Sequence, residues 1–333
     1  MMTDTVLLSS LQNIFGAKVQ ENVRLSNFTT MNVGGPADVL LIAHSADQLA
    51  HMVSEIWKLD IALHVLGSGS NLIICDDGLR GVVIINHAHN IKVNTRSLPN
   101  TAWAESGALM VNVGKKLAMR RLSGMEWAAT IPGTVGGAVY GNAGAFGKDT
   151  CSNLISADIL HKDYGRKLWD CSRLEYSYRA SKLKRDREQA IILSALFRVE
   201  TGNADEIEAN ISSYRSRRAS IQPPGASVGS VFRNPKNDSA GRLIEAAGLK
   251  GKKIGKAVIS QKHANFIINQ GGASAQDILD LISLARNSVK EKFDIELMPE
   301  IEVMGEWEEL PDFVTAKKPQ ITNPENNQRT IGD

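Results

Sequence analysis

Leu63-His64-Val65-Leu66-Gly67-Ser68-Gly69-Ser70-Asn71-Leu72-Ile73-Ile74-Cys75-Asp76-Asp77-Gly78 decides how the glycines of this chain are to be read. A dinucleotide fingerprint of the Rossmann type needs a helix directly after its glycines, so that the helix N-terminus faces a pyrophosphate. Here a short apolar run follows, then Asp76-Asp77-Gly78, then the strand-like Gly81-Val82-Val83-Ile84-Ile85. The pattern is strand, turn, strand, and it disfavours a Rossmann fold. A Gly-Ser loop between strands still offers backbone N–H groups and the hydroxyls of Ser68 and Ser70 to a pyrophosphate, with an ordinary hairpin turn as the competing reading.

A longer glycine run lies downstream, Ile131-Pro132-Gly133-Thr134-Val135-Gly136-Gly137-Ala138-Val139-Tyr140-Gly141-Asn142-Ala143-Gly144-Ala145-Phe146-Gly147. Its glycines strip side chains from the backbone and admit positive φ angles. Flexible linkers carry Ser, Pro and charge, whereas Ile131, Val135, Val139, Tyr140 and Phe146 want burial. A buried loop that approaches a ligand closely is the favoured reading.

The 333 residues, 43% hydrophobic and 22% charged, suit a globular protein of two or three domains. A net charge of +2 argues against nucleic acid or an anionic membrane as partner, and the basic stretch Lys182 to Arg187 is broken by Asp186. Cys75, Cys151 and Cys171 form no CxxC pair, so neither a disulfide framework nor a zinc site is indicated and a reducing cytosol fits best. The histidines lack i, i+4 pairing, so no metal site is expected. A Gly-x-Ser-x-Gly elbow is missing, which disfavours nucleophilic hydrolysis. The N-terminus has no basic n-region and no apolar run long enough for a signal or a membrane span.

The coarse pattern predicts an amphipathic helix over Met1 to Gly16, a strand over Val39 to Ile42, and a helix over Ala46 to Leu59 capped by Ser45, which together give a β-α-β unit. Further helices are predicted over Met110 to Ser123, Ala204 to Ser220, Ser239 to Ala247 and Ala275 to Phe293, the last capped by Ser274. Short strands fill the stretch from Val82 to Glu200, with others at 257–259 and 266–268, so the class is α+β. The expected division is a lead-in at 1–24, a domain at 25–202 with subdomains 25–90 and 91–202, a domain at 203–307, and a disordered tail at 308–333.

Three polar residues sit among apolar or aromatic neighbours: Arg179 in Tyr178-Arg179-Ala180-Ser181, Ser230 in Gly229-Ser230-Val231-Phe232-Arg233-Asn234-Pro235, and Glu300 in Pro299-Glu300-Ile301. Each taken alone is as readily a turn cap, a surface ion pair or an edge-strand carboxylate. Together with Thr29 to Asp38, Leu66 to Asp76, Gly124-Met125-Glu126-Trp127, the glycine run, Gly248 to Gly255 and His263-Ala264-Asn265-Phe266, they closely resemble the UDP-N-acetylenolpyruvoylglucosamine reductases (UDP-N-acetylmuramate dehydrogenases) over about residues 20 to 307.

The resemblance implies a two-subdomain FAD-binding fold of the vanillyl-alcohol-oxidase (PCMH-like) type, followed by a C-terminal α+β substrate-binding domain. It implies non-covalent FAD held by Gly67, Ser68, Gly69, Ser70 and Asn71 and by Ile131, Pro132, Gly133, Thr134, Gly136, Gly137, Asn142, Ala143 and Gly144. NADPH would reduce the flavin, which passes hydride to C3 of the enolpyruvyl ether. Ser230 would protonate C2, while Arg179 and Glu300 polarise the substrate carboxylate. Arg217 or Arg218 would meet a phosphate, and Arg233, Asn234, His263 and Asn265 would lie near the sugar nucleotide. A cytoplasmic monomer acting on small molecules in peptidoglycan synthesis is the corresponding expectation. The connection from Arg179 to Ser230 lacks the tyrosine-bearing insertion of one branch of the family, and Ala180 replaces a frequent acidic residue. Another oxidoreductase of the same flavin fold, or a non-catalytic sugar-nucleotide binder, is the alternative. Flavin-tethering oxidases often use a His or Cys in these loops, and neither glycine segment contains one.

Overall fold

Two aliphatic runs, Pro36–Ala43 and Leu79–Asn86, lie side by side in parallel, with the helix Ala46–Lys58 between them in sequence. Ser45 Oγ accepts the N–H of Gln48 at the helix start, and Leu49, Met52, Val53 and Ile56 form its buried face. Gln20–Arg24 adds an antiparallel strand on one side and Leu63–Leu66 a parallel one on the other, making a four-stranded sheet. The expected β-α-β unit is therefore present. The computed structural model describes residues 4–96, 98–307 and 311, and almost all of the expected tail lies outside the described residues.

Leu63–Leu66 and Leu72–Ile74 do not pair with each other. The first belongs to the four-stranded sheet, whereas the second runs parallel to Glu302–Met304 near the end of the described chain. The Gly-Ser loop is thus a crossing between two sheets rather than a hairpin turn.

The next lobe is a six-stranded antiparallel sheet built from Gly165–Trp169, Leu154–His161, Ala190–Thr201, Asn100–Glu105 and Ile91–Asn94, with Leu122–Ser123 beside the end of Ala190–Thr201. The helix expected to run from Met110 to Ser123 ends at Ala118. Arg121 turns into the left-handed region at φ 58°, its carbonyl accepts from Gly202 N, and Leu122 and Ser123 are drawn into pairing with Thr201 and Glu200. The long glycine run is not a plain loop either: Val135–Gly141 is helical, capped by Thr134 and closed by Asn142 at φ 45°.

Residues 203–307 supply the helices Ala204–Ile221, Ala240–Ala246 and Ala275–Phe293 and a three-stranded antiparallel sheet of Lys253–Ile254, Ala257–Ile259 and Ile267–Asn269. Their core of Val228, Phe232, Leu243, Ile278 and Ile282 also takes in Met31, Val33 and Ile73 from the first lobe. A polar contact reinforces that shared core. The Asp76 carboxylate accepts the N–H of Ala275 at 2.9 Å and of Gln276 at 3.3 Å, while Ser274 Oγ accepts from Asp277 N at 3.0 Å. A helix N-terminus from one lobe is therefore capped by a carboxylate from another. No helix among the described residues is long and apolar enough to cross a membrane. Asp76→Ala is expected to lower stability by about 1–2 kcal/mol, seen as a reduced urea midpoint. An unchanged midpoint would show that Ser274 suffices as cap.

Candidate active site

A cavity of about 1000 Å³ opens between the lobes, bordered by the Gly-Ser loop, the glycine run, Arg179, Arg217, Arg218, Ser230, Asn234 and Glu300. The glycines do two different jobs in its wall. A Cβ on Gly67 would come within 2.5 Å of Thr134 Oγ1 and one on Gly133 within 3.0 Å of Ser70 Oγ, so these positions let the two segments pack together, while one on Gly69 would come within 2.1 Å of the Phe28 carbonyl, so this glycine lets the loop pack on the chain at Phe28 and Thr29. Gly137 and Gly141 are different. A Cβ on Gly137 meets only Thr134 Oγ1 at 3.6 Å and one on Gly141 meets nothing within 4 Å, so their missing side chains keep the cavity open. The N–H groups of Gly136 and Gly137 are spent inside the protein, on Ser106 O and Thr134 Oγ1. Those of Ser68, Gly69 and Ser70 find no protein acceptor among the described residues.

Arg179 is placed by a tight turn. Ser177 and Ala180 exchange both main-chain hydrogen bonds, at 2.9 and 3.2 Å, leaving Tyr178 and Arg179 at the tip, with Arg179 at φ 58°. A non-glycine residue there is strained, which is common where a side chain must be aimed. Asn142 Nδ2 donates to Ser177 O at 3.2 Å and Arg233 Nη2 to Arg179 O at 3.2 Å, fixing the turn from two sides. Arg179 Nε lies 2.9 Å from Glu300 Oε1, an ion pair whose N–H is out of line for a hydrogen bond.

Glu300 sits on an extended segment threaded between the lobes. Its N–H donates to Val231 O at 2.8 Å, Arg233 N donates to Met298 O at 2.9 Å, and Asn71 Nδ2 donates to Glu300 O at 3.1 Å. Ser230 therefore stands one residue from the main chain that holds Glu300. It is half-buried, and its hydroxyl has no protein partner among the described residues.

Arg217 and Arg218 come from the helix Ala204–Ile221. Arg217 lies 5.9 Å over the Phe146 ring, itself stacked on Tyr214 at 4.1 Å. The Arg218 guanidinium has no protein partner among the described residues, and burial, then the nearby charge of Arg179, lower its proton affinity from the ordinary value. Two cations held together at a cavity wall favour an anionic ligand.

Residues 37–166 match the family model "FAD binding domain", and residues 222–304 match "UDP-N-acetylenolpyruvoylglucosamine reductase, C-terminal domain". The UDP-N-acetylenolpyruvoylglucosamine reductase of Bacillus subtilis is 42% identical over 289 residues, spanning 86% of this chain and 94% of the relative. That of Chloroflexus aggregans is 39% identical, spanning 86% and 97%. The crystal structure of the Thermus caldophilus enzyme superposes with a TM-score of 0.73 at 32% identity, over 86% of this chain and all of that one. The chain belongs to the UDP-N-acetylenolpyruvoylglucosamine reductase family.

Family membership gives the first lobes an FAD-binding role, and the cavity fits that group. Free N–H donors on Ser68, Gly69 and Ser70 suit a pyrophosphate, and the absent side chains at Gly137 and Gly141 leave room for a planar ring system. Several residues that the family resemblance points to stand elsewhere. Asn142 is outside the cavity lining and its amide is fully committed, to Asp149, Ser177 and Cys151. Asn265 clamps the Phe232 main chain with both amide atoms, at 2.9 and 2.8 Å. His263 packs edge-on to Phe266, accepts from Asn265 N, and is held towards the neutral form by burial. Arg233 acts through the Arg179 carbonyl, whereas Asn234 does border the cavity. Two cavity residues had no signal of their own in the sequence, Lys184 and Glu302, which look like part of a surface charge block and an edge-strand acid.

Gly141→Val puts a branched side chain where nothing stands in the protein. Purified variant is expected to retain less than about a tenth of the wild-type flavin while the apoprotein melts normally, since the loss is of cavity space rather than of packing. Full flavin retention would mean that the cofactor keeps clear of this wall.

Proposed function

We propose that this chain is a cytoplasmic, monomeric, NADPH-dependent reductase that converts UDP-N-acetylglucosamine enolpyruvate to UDP-N-acetylmuramate for peptidoglycan synthesis. On this reading residues 25–202 hold the cofactor and 203–307 close over the substrate. The observation that carries it is the gathering of Arg179, Ser230 and Glu300, from three distant segments, around the one cavity that the two glycine segments also border. FAD, when bound, supplies a two-electron relay between nicotinamide and enolpyruvyl substrate.

The side chains meet the charge that this chemistry develops. Hydride addition at C3 of the enolpyruvyl ether leaves negative charge on C2 and the carboxylate. Arg179 offers that carboxylate a fixed positive charge, and Glu300, on taking up a proton from solvent when the substrate carboxylate displaces it from Arg179, offers it a hydrogen-bond donor, each such contact being worth about 10²- to 10³-fold in rate. Ser230, its hydroxyl uncommitted, protonates C2 and recovers its proton from solvent. Arg217 and Arg218 remain available for the phosphates, because Arg179 already faces Glu300 and Lys184 already faces Glu302.

The purified protein is expected to show a flavin spectrum and to consume NADPH faster when the enolpyruvyl sugar nucleotide is added. A colourless protein indifferent to that substrate sinks the reading. Ser230→Ala should leave flavin reduction by NADPH nearly intact and slow reoxidation by substrate about 10²-fold or more; equal slowing of both half-reactions removes Ser230 as the proton donor. Arg218→Met should raise KM for the sugar nucleotide about tenfold or more with a smaller change in kcat, and a change confined to kcat would take Arg218 away from the phosphates.

A further inference from the structure

Beside Arg179 and Glu300 lies a second ion pair that the reaction described above does not use. Lys184 Nζ is 2.7 Å from Glu302 Oε1, and the lysine side chain is only 5% exposed. Both residues border the cavity. The two ion pairs are built from the same two segments. Glu300 and Glu302 are two residues apart, either side of a bend at Ile301, and both border the cavity. Arg179 tips its turn, and Lys184 stands on the short helix Lys182–Asp186 that follows. That helix is tied to the glycine run, because Ser181 Oγ donates to Tyr140 O at 2.7 Å and accepts from Lys184 N at 3.3 Å. The Lys184 ammonium also lies 5.9 Å over the Tyr140 ring. Burial, and then the charge of Glu302, pushes the Tyr140 phenol up to about 12, so it stays neutral beside the pair.

Taking an ammonium out of water costs several kcal/mol unless it is closely paired, and a hydrophobic pair of similar volume is often as stable. Stability alone is therefore a poor reason for this pair, and its location suggests another. An incoming substrate carboxylate competes with Glu300 for Arg179. Neither ion pair is in line for a hydrogen bond, but the Lys184–Glu302 contact is the shorter, at 2.7 against 2.9 Å, and its ammonium is nearly buried. We propose that Lys184 is a positioning residue, whose ion pair with Glu302 holds the Arg179 turn against the Glu300 strand so that both side chains stay aimed at the substrate carboxylate when it draws them apart. The proposal rests on the enolpyruvyl-reductase reading.

The test is a double-mutant cycle with Lys184→Met, Glu302→Gln and the two combined, in the FAD-loaded protein. Each half-reaction is followed separately, with flavin content and melting temperature recorded. Each single variant is expected to slow reoxidation by the enolpyruvyl sugar nucleotide about tenfold or more while leaving reduction by NADPH within about twofold, as for a misplaced rather than missing catalytic group. The combined variant should be no slower than the worse single one, because the pair acts as a unit. The reversed pair, Lys184→Glu with Glu302→Lys, should regain part of the lost rate. If a single variant fails to fold because it leaves a charge unpaired, the neutral double and the reversed pair decide: slowed reoxidation in the first with recovery in the second supports the proposal. Effects that multiply in the double variant, equal slowing of both half-reactions, normal reoxidation in the neutral double, or a reversed pair no better than the neutral double overturns it. If wild-type protein is not reoxidised by the sugar nucleotide, the reductase reading itself has failed, and that outcome is visible before any variant is made.

Discussion

The extended segment from Met298 to Met304 is the constraint on which the rest of the site depends. A bend at Ile301 divides its N–H and carbonyl groups between two sets of partners. Those at Glu300 and Met298 are taken by Val231 and Arg233, while the carbonyl of Glu300 and the N–H of Glu302 are taken by Asn71. The parallel pairing of Glu302–Met304 with Leu72–Ile74 continues the same attachment. One stretch of main chain thus fixes the distance from the Gly-Ser loop to Ser230 across the cavity that both border. Because backbone hydrogen bonds tolerate little slippage, register here is also active-site geometry.

Charge in the cavity follows a simple rule. Four cations, Arg179, Lys184, Arg217 and Arg218, border it with two carboxylates, Glu300 and Glu302. The carboxylates are each matched to one cation, at 2.9 and 2.7 Å. The remaining arginines lie together on one helix, where the depressed proton affinity of Arg218 records both burial and the presence of Arg179. Such a wall is unfavourable without an anion, so ligand binding relieves a repulsion that folding built in.

Local chemistry was largely readable from the residues. Ser45 and Ser274 cap the helices expected of them, the helix Ala275–Phe293 has the expected limits, and the flanks of Gly67 to Asn71 correctly disfavoured a Rossmann helix. What the sequence hid depends on distant partners. The helix from Met110 stops early because Thr201 and Glu200, some eighty residues on, recruit Leu122 and Ser123 into a sheet. Lys184 looked like its neighbours in a basic block, yet Lys182 and Arg185 face outward to Glu175 and Asp186 while Lys184 alone turns inward to Glu302. Asn265 has the same appearance in sequence whether it touches a sugar or clamps a loop, and only its hydrogen bonds to Phe232 distinguish the two.

The pairing of Leu72–Ile74 with Glu302–Met304 also bears on how the protein is made. Asn71 and Glu300 are 229 positions apart, so the Gly-Ser loop waits for its outer support until nearly all of the described chain has left the ribosome. The N-terminal lobes emerge first and have cores of their own, but Met31, Val33 and Ile73 lack their packing partners until residues beyond 228 arrive. A nascent or truncated chain therefore carries the glycine segments without the completed pocket.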